Sequence, residues 1–347
     1  MVTVMFALGG LIYRAQTVSV ANPDAGVPYA PAFRGDRSGP GAVLNLHDGQ
    51  AFGSLALDPL LSHPDEWGGG RAEMAYRASR PLFSWLVMLT SFGSADVAAW
   101  SLMVWTALGA GVLAAAAVLL ADRWGRQTDW VPLLLLLPGV FGQMVYGGLS
   151  DGMATGLALL GVVAWLRGRD GWAIVALCLS ALCRETALLA PLALLAGAAF
   201  SGRDWRRAGL LLVPFAVYVA WIGAVWLRLR ALPTDAGQGR LSLPPANLAA
   251  VVGSWSWVEI IGALSIVVLA GIAWWRSPEP AVRWLVALSF LFGVTLGPAV
   301  LRSWDFTRAL LPVTVVGACL LAARAHQTSD PPVAATENPV TEELSRR

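Results

Sequence analysis

Apolar and polar positions in this chain separate into long uncharged runs joined by short polar links. Residues 97–121, 130–150, 152–166, 208–227 and 284–301 are such runs; 257–275 and 306–323 are apolar with one charge near the start of each, Glu259 and Arg308; and 171–202 is interrupted only by Arg184 and Glu185. Runs of about 18 or more such residues suit helices that cross the ~30 Å hydrocarbon core of a bilayer. A single helix over 171–202 would be about 48 Å long, too long for one crossing without gross tilt. The pattern therefore predicts two abbreviated helices meeting at Arg184 and Glu185. Broken backbone at that depth is tolerated only against protein or a wet cavity. Only Asp151 separates 130–150 from 152–166, which predicts a hairpin with Asp151 at its tip.

The N-terminal part is different. Residues 1–13 are apolar and Arg14 follows; as helix this is about 18 Å, short for a crossing. The first span is expected to run on to about Val20 or to start upstream. A signal peptide cut near Val20 and Ala21 is the rival, but the basic leader region is missing. Residues 21–80 then form a long polar loop. Asn22, Pro23, Asp24, Pro28, Pro31 and the Gly/Arg/Asp cluster at 35–41 read as irregular chain. Phe52, Leu55, Ala56 and Leu60 approximate helical spacing, which predicts a short interfacial helix from Asp48 to Leu61. Trp67 and Gly68 to Gly70 read as a turn. Pro81 can open a helix at its first position, so 81–93 is expected to be a juxtamembrane helix. A polar link occupies 228–256, and 325–347, rich in Pro, Thr, Glu and Ser, is expected to be a disordered cytoplasmic tail.

Composition sharpens this picture. Of 347 residues, 56% are hydrophobic and 13% charged, about half the charged share of a soluble domain (~25%). The net charge of +2 gives no sign of a nucleic-acid partner. All 24 basic residues are Arg, a pattern explained more simply by genomic base composition than by phosphate recognition. Cys178, Cys183 and Cys319 lie in apolar runs and form neither a disulfide nor a metal pattern. Arg123, Arg126, Arg167, Arg169, Arg203, Arg206, Arg207, Arg276, Arg283 and Arg324 fall in alternate links, and basic links favour the cytoplasmic side. The long loop, Asp151, Arg184, Glu185, Arg302 and Asp305 then share the extracytoplasmic side.

Several of these polar residues are candidates for chemistry. Asp48, flanked by His47, Gly49 and Gln50, is either an accessible carboxylate or the N-cap of the helix after it. Asp58, before Pro59, could equally end that helix. His47, Asp48, Asp58 and His63 could together hold a divalent metal, although their spacing matches no standard ligand pattern. Ionisable residues inside membrane segments are costly and usually face a cavity, which marks Asp151, Arg184 and Glu185; the last two could also cap the helix break. Arg77, Arg80, Arg302 and Arg308 sit at run ends, where an Arg either snorkels or binds phosphate. The 17 tryptophans lie mostly near run ends, as interfacial belts require.

The order of these motifs resembles the GT-C superfamily of membrane glycosyltransferases. The likeness is greatest to mannosyltransferase-like members. It is carried by His47-Asp48-Gly49-Gln50 with Phe52 and Leu57-Asp58-Pro59, by Arg80-Pro81-Leu82-Phe83, by Cys183-Arg184-Glu185-Thr186-Ala187-Leu188 and, more loosely, by Asp305-Phe306-Thr307-Arg308. His47 stands where the family carries Tyr. The resemblance implies an all-α polytopic bundle of about nine or ten membrane helices, formed by 1–324 as one domain, in a bacterial-type plasma membrane. It implies transfer of a hexosyl or pentosyl group from a polyprenyl-phosphate-linked donor to a hydroxyl of a glycan, lipid or protein acceptor outside the cell. Asp48 would be the general base, with His47, Gln50, Asp58, Arg80, Asp151, Arg184, Glu185, Arg302, Asp305 and Arg308 binding substrate. No cofactor is implied with certainty, although a divalent metal could take part. A transporter or flippase of a lipid-linked or small polar substrate would share the broken helices and buried charges, but would not need the long loop. A non-catalytic scaffold is the third reading.

Overall fold

The computed structural model describes residues 1–19, 30–45, 48–126, 128–129, 131, 149–200, 205–236, 251–296, 307 and 310–322. Among these residues the regular structure is helical and no strand is present. In chain order the helices are α1 (Val2–Thr17), α2 (Gly39–Asn45), α3 (Gly49–Leu57), α4 (Gly70–Ala78), α5 (Pro81–Ser91), α6 (Ala95–Arg123), α7 (Asp151–Leu166), α8 (Asp170–Cys183) and α9 (Leu189–Phe200). They continue with α10 (Trp205–Leu229), α11 (Trp257–Arg276), α12 (Pro280–Val294) and α13 (Leu311–Leu321). Among the described residues α6, α10 and α11 are long and apolar enough to cross a membrane, while α5, α7, α8, α9, α12 and α13 are apolar but shorter.

At 29 residues, or about 43 Å, α6 is the mast of the bundle. Its small residues Ala98, Ala107, Ala110, Ala114 and Ala117 are buried, so neighbours approach its backbone closely. Both α1 and α5 lie along α6, and α7 crosses it with glycines at the contact. A Cβ added to Gly156 would stand 2.7 Å from the Leu113 backbone nitrogen, and one on Gly109 would stand 2.9 Å from that of Met153. Close backbone approach through small residues is how helices associate where lipid offers no hydrophobic drive between them. This crossing fixes the start of α7, and with it Asp151. Helix α8 runs back along α7 and also packs on α10, while α9 pairs with α12 and α11 with α13.

The long polar loop is more ordered than its composition suggests. Of its helices α3 is anticipated, as is α5 after the loop. The turn expected at 67–70 is present, with the Gly70 amide donating to the Trp67 carbonyl at 2.9 Å, while α2 takes up part of the expected irregular chain and α4 follows the turn unanticipated. Helix α2 has poor intrinsic propensity, being Gly-Pro-Gly at its start, but Ala42, Val43 and Leu44 are fully buried, and packing overrides propensity. Helix α4 is made of good helix formers after Gly70, whose φ of +60° suits glycine. Met74, Ala75 and Ala78 bury against Trp67 and against Val225 and Leu229 at the end of α10. The Trp221 indole N–H donates to the Ala78 carbonyl at 2.7 Å, and Phe52 meets Phe83 edge to face at 5.2 Å. The loop is thus seated on the bundle, with α3 on α5 and α4 on α10.

The break expected near residue 184 is present. Helix α8 ends at Cys183, Arg184 is extended (φ −162°, ψ 132°), and Glu185–Leu188 form a 3-10 turn before α9. Asp151 is not an exposed tip but the first residue of α7, 3% accessible. The arm expected to precede it, and the expected tail at 325–347, lie outside the described residues.

Candidate active site

Three parts of the chain supply the site: the start of α3, the α4–α5 junction, and the facing ends of α7 and α8. In α4, residues 73, 76 and 77 share one face by the i, i+3, i+4 rule, and Arg80 follows as the residue before α5. Arg77 Nε donates to Glu73 Oε1 at 2.7 Å, and its Nη1 reaches Asp48 Oδ1 at 2.9 Å. This decides the role of Asp48 in the local fold. It precedes α3, but its side chain accepts no capping hydrogen bond from that helix; the carboxylate turns to Arg77 instead.

Arg80 stands one step further along, at the start of α5. Its Nε and Nη2 donate to Glu185 Oε2 and Oε1 at 2.6 and 2.5 Å, a bidentate pair joining the juxtamembrane helix to the α8–α9 break. Nη2 also donates to the Tyr76 hydroxyl at 2.8 Å. The Tyr76 ring lies beside both guanidinium groups, 5.0 Å from Arg77 and 4.8 Å from Arg80. The Arg80 side chain is 5% exposed. Burial works against its charge, but Glu185 foremost, then Tyr76 and Asp48, outweigh it and hold the guanidinium protonated well above its usual range. Its Nη1 makes no hydrogen bond among the described residues, so two of the five N–H groups of Arg80 remain uncommitted there.

The third arm is Arg184 with Asp151. The Ser150 hydroxyl donates to the Cys183 carbonyl and the Cys183 thiol to the Ser150 carbonyl, stitching the start of α7 to the end of α8. Arg184 pairs with Asp151, whose place at the N-terminus of α7 favours a negative charge. Beneath the pair is a cavity of about 20 Å³, lined by Asp151, Thr155, Arg184, Thr186 and Ser289 among apolar side chains. In order, Glu73, Arg77, Asp48, Arg80, Glu185, Arg184 and Asp151 alternate in sign. Tyr218 on α10 closes the group, within electrostatic reach of Glu185, Arg80 and Tyr76.

Not every candidate joins this group. Gln50 is buried and structural: its amide donates to the Asn45 carbonyl and accepts from the Ala30 amide. Asp58 ends α3 and accepts from the Ser62 and His63 amides at 2.7 to 2.9 Å, with the His63 ring 3.3 Å away. His47, Arg302, Asp305 and Arg308 lie outside the described residues. Among the described residues no three His, Cys, Asp or Glu side chains gather to hold a metal ion. Sequence reading misses Glu73 and Tyr76, and it takes Arg77 for a phosphate or snorkelling residue. The signal was present as Glu73-x-x-Tyr76-Arg77-x-x-Arg80, a polar helical stripe hidden by the turn assigned just before it.

No protein-family model matches the sequence, and no curated protein matches it. Two solved structures are similar. ArnT from Cupriavidus metallidurans in the apo state superposes with a TM-score of 0.52 at 15% identity. The same protein bound to undecaprenyl phosphate superposes with a TM-score of 0.55 at 16% identity. The similarity covers 92% of this chain but 58% and 59% of the ArnT chains, so this chain spans under two thirds of their length. The shared feature is the fold: an all-α, polytopic membrane bundle like that of ArnT, the fold class expected from the sequence.

Proposed function

We propose that this chain is a membrane glycosyltransferase that moves a sugar, hexosyl or pentosyl, from a polyprenyl-phosphate carrier to an acceptor hydroxyl on the extracytoplasmic face. The carrying observation is that Asp48 and the Arg80–Glu185 pair, 105 residues apart in sequence within the pair, meet at one end of a GT-C-type bundle. The structure of ArnT with undecaprenyl phosphate supports a polyprenyl-phosphate carrier as the donor lipid.

In this reading the acceptor oxygen attacks the anomeric carbon as its proton passes to an Asp48 carboxylate oxygen. The bond from that carbon to the phosphate oxygen breaks, and the polyprenyl phosphate leaves with the electron pair. An inverting displacement of this kind needs one base opposite the leaving group, a role one ionised carboxylate can fill. Charge builds on the departing phosphate, and preorganised cations lower that cost most where water is scarce. Arg80, with its uncommitted Nη1, and Arg184, at the mouth of a cavity with largely apolar walls, are the groups suited to it. A glycan, lipid or protein could each supply the acceptor hydroxyl.

The test uses the full chain in nanodiscs with labelled polyprenyl-phospho-hexoses and polyprenyl-phospho-pentoses plus a membrane lipid extract. Release of polyprenyl phosphate is followed. Wild type is expected to turn over at least one donor, and Asp48→Asn to be slower by about 10²- to 10⁴-fold, the usual worth of a general base. A variant as fast as wild type removes Asp48 from the chemistry. Movement of intact donor across proteoliposomes without cleavage would instead make the chain a transporter.

A further inference from the structure

We infer that Arg77 is a positioning residue for Asp48, and that Glu73 in turn fixes Arg77. The inference rests on Asp48 being the general base. Three observations carry it. First, Asp48 is not held by its own helix: it precedes α3 without a side-chain cap, so something else must set its rotamer. Second, the Arg77 guanidinium spans the gap, with Nη1 on Asp48 Oδ1 at 2.9 Å and Nε on Glu73 Oε1 at 2.7 Å. Third, Arg77 is itself rigid: its side chain is 10% exposed, it is anchored one helical turn back by Glu73, and Tyr76 flanks it. A planar guanidinium anchored at Nε directs the group bonded to its Nη1 far better than a flexible ammonium does.

The division of labour between Arg77, on α4, and Arg80, at the start of α5, follows from their partners. Arg80 is taken up by Glu185 and Tyr76, on the side of the α8–α9 break. Arg77 is taken up by two carboxylates and faces the start of α3. The two arginines, three residues apart, therefore do different work. Arg80 is suited to the phosphate, whereas Arg77 holds Oδ1 of Asp48 and with it the orientation of the carboxylate that takes the acceptor's proton.

The experiment compares Arg77→Gln, Arg77→Lys and Glu73→Gln with wild type and Asp48→Asn, each as the full chain in nanodiscs, on the donor that wild type turns over. Arg77→Gln is expected to lower kcat by about 10²-fold with little change in donor KM, because misplacing a reacting group by about 1 Å costs that much. Added guanidinium ion is expected to restore a measurable part of that rate, Arg77→Lys to recover less, and Glu73→Gln to fall between wild type and Arg77→Gln. Rescue separates positioning from misfolding, since a collapsed variant does not respond to guanidinium. A rise in donor KM at constant kcat would overturn the inference by placing Arg77 on the phosphate, as would wild-type kcat in Arg77→Gln. If Asp48→Asn alone is as active as wild type, the general-base reading fails first. If Asp48→Asn is inactive and Arg77→Gln is not impaired, only the role of Arg77 fails.

Discussion

The two ends of this bundle both carry ion pairs, and they are built differently. At the site end the charges are buried: the Arg80 side chain is 5% exposed and the Asp151 side chain 4%. Their partners Glu185 and Arg184 are more open, at 33% and 15%. At the opposite end, Arg167 with Asp122 is loose, at 3.4 Å with 31% and 65% exposure, and Arg207 with Asp170 is bidentate and half-buried, both side chains 30% exposed. Arg123 with Glu279 completes that rim. Exposed pairs contribute little, typically about 0–1 kcal/mol, and need no further reason to exist than an Arg-rich membrane edge. A buried chain of alternating charges is costly to desolvate and contributes little net stability. A fold keeps such a chain for something other than stability, and this is why the proposed chemistry is placed there.

That contrast can be broken experimentally. The largest stability effect is expected from Arg184→Gln, which strands the buried Asp151 carboxylate; a loss of about 3–5 kcal/mol is expected in nanodisc thermal denaturation. Adding Asp151→Asn to that variant should recover much of the loss, and a fully additive double variant would deny that the pair is coupled. Gly156→Leu comes next. Its side chain would press on the Leu113 backbone at the α6–α7 crossing, at a cost of about 1–3 kcal/mol. It should also slow donor turnover, because that crossing places Asp151. The smallest effect belongs to the far rim: Arg167→Gln should change stability by under ~0.5 kcal/mol and leave turnover as it is. If Arg167→Gln proved as damaging as Arg184→Gln, the difference drawn between the two ends would fail.

Much of the architecture was legible in the sequence because it follows from one-dimensional constraints. Uncharged runs mark membrane helices whatever they pack against. A run too long for one crossing and too short for two, broken by Arg184 and Glu185, must form two helices with a break between them. Pro81 announced the start of α5. The polar loop resisted the same reading. Helix α2 forms against its Gly and Pro content because its apolar residues find a place on the bundle, and no local signal carries that. Helix α4 was locally legible, yet the glycines before it drew attention to a turn and away from the stripe at 73, 77 and 80.

The site divides along the same line. The sequence alone determined that Asp48, Asp151, Arg184 and Glu185 are unusual, because an acid or a base beside or within apolar chain has to be explained by its surroundings. It could not determine partners. That Asp48 answers to Arg77 and not to its own helix, that Arg80 clamps Glu185, and that Asp58 and Gln50 spend their polar atoms on neighbouring backbone, were decided only by tertiary structure. Charge and hydropathy are properties a residue carries with it. The pairing of buried charges depends on helix crossings and loop docking that bring residues about a hundred positions apart within 3 Å, and no periodicity in the chain encodes that distance.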